Sequence, residues 1–212
     1  MPSRSSFARF VPLQNITSEV TDGKWHSGAS IAAEWIEAML LQLGAGIPPA
    51  YGRADAADVY ALLDIHVYAR AINDRPWAIE QRGGSNMLAH VRKDLVEGSG
   101  ATLYVGHDTT LDQMGVLLNL TFADMPPYPT NTPAPGSILK LEASDDANGD
   151  RTVKATYFYV ATFEDDDGAL KTAGATTFAG GAASMPLDEF AARANATIDA
   201  ACVRFSDSRA SD

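Results

Sequence analysis

The chain has 212 residues, 46% of them hydrophobic, enough to bury a substantial core in one globular unit. Its 27 acidic against 16 basic residues give a formal net charge of -11, which excludes nucleic acid as a partner, because displacing counterions from a phosphate backbone takes clustered Lys and Arg. No run of about 18 apolar residues occurs, so no membrane span is expected, and Met1-Pro2-Ser3-Arg4-Ser5-Ser6 lacks the apolar stretch of a signal peptide.

Residues 1–28 show no sustained period and read as an irregular segment. From Ser30 the spacing of Ile31, Trp35, Met39 and Leu43 predicts a helix, with Ser30 as N-cap and Gly44 as its stop. After Gly46-Ile47-Pro48-Pro49, helical spacing returns through Val59, Leu62 or Leu63, His66 and Ala69. A third helix is predicted after Arg82-Gly83-Gly84, capped by Ser85 and ended by Gly98. Ala101-Thr102-Leu103-Tyr104-Val105, fenced by Gly100 and Gly106, reads as a buried strand, and helical spacing resumes through Leu111, Met114 and Leu118. Helix, strand, helix implies an α/β unit with a parallel or mixed sheet.

Beyond the Pro-rich stretch that starts at Asp124, the segments from Ser137 and from Arg151 are β-rich and separated by turn residues, which predicts a hairpin. Pro186 opens a closing helix with Leu187, Phe190, Ala194 and Ile198 on one face. Asp145-Asp146 and Asp165-Asp166-Asp167 read as solvated turns, so no metal is expected, nor any other cofactor. The lone Cys202 has no internal partner for a disulfide, and Asn15, Asn119 and Asn195 begin Asn-x-Thr sequons that would accept glycans in a secreted protein.

The sharpest local signal is His107-Asp108, placed at the C-terminal tip of the predicted strand and the start of the next helix. Open α/β sheets bind ligands outside strand C-termini, and a helix N-terminus offers unsatisfied N–H groups and a positive dipole end, a setting suited to phosphate.

Gly106-His107-Asp108-Thr109-Thr110-Leu111 after an apolar strand resembles the His-Asp motif of the histidine acid phosphatases, the branch of the histidine phosphatase superfamily that holds acid phosphatases and phytases. RGGSNMLAHVRKDL is similar to the Gly-Gly-containing helix before that motif, and MPPYPTNTPAPGSILKLE resembles the Pro-Pro-Tyr loop and following strand. PLDEFAARANATIDAAC is similar to the family's closing helix with its Cys. These segments are collinear from about residue 51 to residue 206, which a lone dipeptide would not produce.

The resemblance implies an α/β fold with a phosphoglycerate-mutase-like core, a sheet flanked by helices and a helical cap. Residues 29–97 would form the cap, residues 98–206 the C-terminal part of the core, residues 1–28 an irregular lead and residues 207–212 a tail. It implies hydrolysis of a phosphomonoester through a phosphohistidine, with no cofactor. His107 and Thr109 would bind the phosphoryl group, and Asp108 would protonate the leaving alcohol. Partners would be a small phosphomonoester or inorganic phosphate, with a homodimer compatible with the full-length form, in a parent that is secreted or lysosomal or vacuolar.

The chain departs from the family at the nucleophile. No Arg-His-Gly triplet occurs, the family's further phosphate-clamping arginines have no recognisable counterpart, and His26, His66 and His90 read as surface or packed histidines. Half of the site is therefore expected to be missing, as in a fragment, and the chain alone is expected to be inactive. The alternative is a non-catalytic anion- or partner-binding protein on a degenerate phosphatase scaffold. A metal phosphohydrolase would need further His and Asp ligands on helices, and a Ser-His-Asp hydrolase a Gly-x-Ser-x-Gly elbow; neither pattern is present.

Overall fold

The computed structural model describes residues 19–21, 24–26, 28–145, 148–161 and 170–205. Asn15, Asp146, Asp165 to Asp167 and the tail 207–212 lie outside these. The first described elements are β1 (Glu19–Thr21) and β2 (Lys24–His26), which pair antiparallel, so the segment read as irregular contains a short ladder.

Helix α1 (Gly28–Gly44) forms where the spacing predicts, with a different inner face. Its buried residues are Ala29, Ala33, Ile36, Leu40 and Leu43, whereas Ile31 is 47% and Trp35 68% exposed. The reason is steric: Ala29 and Ala33 meet Ala69 of the next helix, and this small-residue contact lets the two helices lie closer than Trp35 would allow. That next helix, α2 (Ala56–Asn73), starts at a reciprocal cap, with Asp58 N–H donating to Asp55 Oδ1 at 2.9 Å and Asp55 N–H to Asp58 Oδ2 at 3.2 Å. Its inner face carries Val59, Leu63, His66, Ala69 and Arg70.

Helix α3 (Trp77–Glu97) corrects the sequence reading, since it runs unbroken through Gly83-Gly84-Ser85. Ser85 is no cap: its hydroxyl donates to Gln81 O at 2.6 Å and accepts from Asp199 N–H at 2.8 Å. A Cβ on Gly84 would lie 2.7 Å from Leu117 Cδ1 and 3.0 Å from Gln113 Cβ, so the glycine permits close approach to the following helix, α4 (Asp108–Leu117).

The stretch Ala101–Val105 is the larger correction. It forms no strand ladder with the described residues, and Leu103 and Val105 are 83% and 86% exposed. A strand is buried by neighbours on its edges and faces, and none of the described strands reaches it. Tyr104 O–H ties it to α3 instead, donating to Asp94 Oδ2 at 2.7 Å.

After α4, β3 (Thr121–Ala123) leads into the Pro-rich loop, which contains a cis Pro126–Pro127 bond. The predicted hairpin forms from β4 (Ile138–Asp145) and β5 (Arg151–Val160), in register from Ile138 opposite Phe158 to Asp145 opposite Arg151. On its other edge β5 pairs β6 (Leu170–Thr172) and β8 (Ser184–Pro186), while β7 (Ala175–Thr177) pairs β3. Every pairing among the described residues is antiparallel, so the expected parallel or mixed sheet does not appear there.

Helix α5 (Leu187–Thr197) closes the chain, shorter than the spacing predicts because Ile198 already has extended dihedrals, although Ile198 still packs on the core. Alternate residues Val153, Ala155, Tyr157 and Tyr159 of β5 face inward, and Tyr157 stacks on Phe122 with ring centroids 4.6 Å apart. Helices α1 to α5 thus flank the sheets around one core, an α/β architecture.

Candidate functional site

Helix α4 begins where the chain turns out of the 101–106 stretch. His107 is its N-cap and is exposed. Its N–H approaches Thr110 Oγ1 at 3.4 Å. Asp108 is the first helical residue, a favourable place for an anion, and its Oδ1 accepts from Thr109 N–H at 2.7 Å and from Thr109 Oγ1 at 3.3 Å. Thr109 therefore braces Asp108.

His107 and Asp108 border a cavity of about 950 Å3, which runs between the 98–107 stretch and β4. Its walls are largely apolar, with Leu40, Leu63, Met87 and Leu111 among them, and His66 and Thr132 add polar groups.

Behind Asp108 lies a cluster of charges. Arg70 Nη2 donates to Asp108 Oδ2, and Arg70 Nη1 donates to Asp112 Oδ2 at 2.9 Å. Arg75 Nη2 donates to Asp112 Oδ1 at 2.7 Å and also to the Asn131 carbonyl. The pairing follows from helix geometry: His66 and Arg70 are four apart on α2, Asp108 and Asp112 four apart on α4, and the two faces meet.

Burial pushes the Asp108 carboxyl up, but the charge and hydrogen bond of Arg70, with the Thr109 N–H, outweigh it and hold the group below its usual value. Burial and the Arg70 charge keep His66 below its ordinary value, and its Nδ1 has no hydrogen-bond partner among the described residues. Glu80 of α3 is fully buried with neither carboxyl oxygen hydrogen-bonded to a described residue, and burial, followed by the charge of Asp112, raises it to about 7.

The structure places His107, Asp108 and Thr109 at the start of α4, His107 and Asp108 bordering the cavity and Thr109 turned onto Asp108. The sequence reading missed Arg70, Arg75, Asp112 and Glu80; His66, read as a surface or packed histidine, is buried on the inner face of α2. The available signal was the complementary four-residue spacing on α2 and α4.

No family model and no curated protein matches the chain. Solved structures do match. A phytase from Hafnia alvei in complex with myo-inositol hexakis sulphate superposes with a TM-score of 0.73 at 20% identity, over 90% of this chain and 54% of that one. The chain has the phytase fold. A phytase from Klebsiella sp. ASR1 gives 0.75 at 21% identity, over 90% and 54%, and one from Citrobacter braakii 0.71 at 19%, over 90% and 55%. The Hafnia phytase is also known in complex with tartrate. The chain spans about half the length of the phytases it matches.

Proposed function

We propose that the chain is a member of the histidine acid phosphatase family and carries the His-Asp half of a phosphomonoester hydrolase site. The observation that carries this reading is the position of His107 and Asp108 together at the N-terminus of α4, bordering the cavity, in a fold shared with phytases. Residues 29–97 act as the cap and 98–206 as part of the core.

In the proposed chemistry a phosphoryl group sits at the α4 N-terminus, where His107 and the positive end of the helix dipole meet its oxygens, while Thr109 stays bonded to Asp108. A histidine nitrogen attacks phosphorus, the bond to the alcohol oxygen breaks, and the proton of Asp108 goes to that oxygen. Water then attacks the phosphohistidine, giving up its proton to the Asp108 carboxylate. The 212 residues contain no Arg-His-Gly segment to supply that attacking histidine in the family's manner. The chain by itself binds phosphate and does not turn over.

Calorimetry with inorganic phosphate at acid pH tests the binding, and release of p-nitrophenol from p-nitrophenyl phosphate tests turnover. Binding that weakens at least tenfold in His107→Ala, with no hydrolysis, is expected. Equal binding by the variant removes the site assignment. Hydrolysis by the chain as given, lost in Asp108→Ala, means that a nucleophile is present and His66 is the first to test.

A second reading, a non-catalytic anion- or partner-binding protein, is favoured by the Arg70 pair, which keeps Asp108 in the form that cannot donate a proton.

A further inference from the structure

Arg70 touches Asp108 without lining the cavity. Its side chain is 9% exposed against 30% for Asp108, so it stands behind the carboxylate relative to solvent. It is itself fixed from behind, because Asp112 takes its other nitrogen at 2.9 Å and is held in turn by Arg75 at 2.7 Å. A guanidinium is a rigid fork that never gives up its charge in this range of pH, so one held by Asp112 presents its remaining donor in a fixed direction. Asp108 is thereby gripped at both oxygens, Oδ2 by Arg70 and Oδ1 by the Thr109 N–H. A protonated carboxyl is a weaker acceptor than a carboxylate, so a proton on Asp108 costs part of the strength of its bond to Arg70.

We infer that Arg70 is a positioning residue for Asp108: it fixes the carboxylate in one orientation and in its charged form, and so sets how acid the solution must be before Asp108 holds the proton that a leaving alcohol needs. The inference rests on the reading of Asp108 as proton donor. The groups facing Asp108 are His66 and Arg70 of α2, Asp74 and Arg75 just beyond it, Asp112 on α4, Tyr157 of β5 and the adjacent His107. Of these Asp112 and Asp74 act against Arg70, but each is offset by a guanidinium, since both feel Arg70 and Arg75. Among the described residues, Arg70 alone bonds Asp108 directly from another element.

The test is a carbon-detected NMR titration of the Asp108 carboxyl in the whole chain, with Asp108→Asn to assign the signal. In the unaltered chain the midpoint should lie below that of a free aspartate, near 3.9. Arg70→Met should raise it by a unit or more, a tenfold gain in proton affinity, and Arg70→Lys, which keeps the charge, should restore part of the difference. If Arg70→Met does not fold, Arg70→Met with Asp112→Asn removes one charge of each sign from the cluster, and a smaller rise of the same sign over Asp112→Asn alone is expected. An Asp108 midpoint that is the same with and without Arg70 overturns the inference. Phosphate binding reports separately on the site reading: a chain that fails to bind phosphate yet shows the Arg70-dependent titration refutes the function and leaves the coupling intact.

Discussion

Asp112 lies one helical turn after Asp108 on α4, and the two carboxylates converge on opposite nitrogens of a single guanidinium, that of Arg70. Asp112 is the more buried, at 4% side-chain exposure, and is the hub of the cluster because it also holds Arg75. Removing one partner of a buried pair leaves an uncompensated charge, at a cost of about 3–5 kcal/mol. Asp112→Ala leaves Arg75 without a bonded carboxylate among the described residues and Arg70 with Asp108 alone, so a loss of about that size is expected in urea unfolding. A loss under about 1 kcal/mol, the range of surface pairs, would mean that solvent screens the cluster.

Glu80 gives a pH dependence with a definite sign. Its folded value of about 7 lies above its ordinary one, so the native state binds a proton that the unfolded state has released. Stability therefore falls as pH rises from about 4.3 to about 7, by about 1.4 kcal/mol for each pH unit crossed, and levels off above that window. Glu80→Gln should flatten this part of the profile, as chemical denaturation at a series of pH values would reveal. An unchanged slope in the variant would place the titration elsewhere.

The two glycines at the centre of α3 should respond differently to alanine. At Gly84 the new methyl meets Leu117 and Gln113 Cβ, both fixed in the α3 to α4 contact. Overpacking of this kind costs about 1–3 kcal/mol, more than alanine's helix propensity returns. At Gly83 the atoms in the way are the amide end of the Gln113 side chain, which can swing aside. Thermal unfolding should rank Gly84→Ala well below Gly83→Ala, and the reverse order would show that α3 and α4 separate easily.

Leu103 supplies a prediction opposite to the one its sequence invites. As a core strand residue its change to Ser would cost several kcal/mol; at 83% exposure it should cost under about 0.5 kcal/mol. A large loss of stability on Leu103→Ser would mean that the segment is covered in solution.

Local chemistry made much of the fold legible. The helical spacing from Val59 to Ala69, the β-rich segments from Ser137 and Arg151 and the turn residues between them act over a few positions, and the corresponding elements formed where expected. What failed depended on partners far away in the chain. Apolar content alone favoured Trp35 as an inner residue, but the fit of Ala29 and Ala33 against Ala69 decided which face turned in. Gly83-Gly84 looked like a helix start because their packing against α4 is invisible locally. Ala101–Val105 has the composition of a buried strand but lacks described neighbours. The site divides in the same way: His107 and Asp108 form a contiguous motif, whereas Arg70 and Asp112 meet across a separation of 42 residues and become a unit only when α2 and α4 pack.

The ion ladder behind Asp108 also leaves the site electrically saturated. Arg70 and Arg75 are already matched by Asp108 and Asp112, while a further carboxyl, Asp74, stands close by. A phosphoryl dianion arriving at the α4 N-terminus therefore finds no surplus cation in this cluster and is opposed by the nearest carboxylate. Protonating Asp108 would relieve that repulsion and leave half of Arg70's charge unmatched, so proton and anion should bind as allies, each tightening the hold on the other.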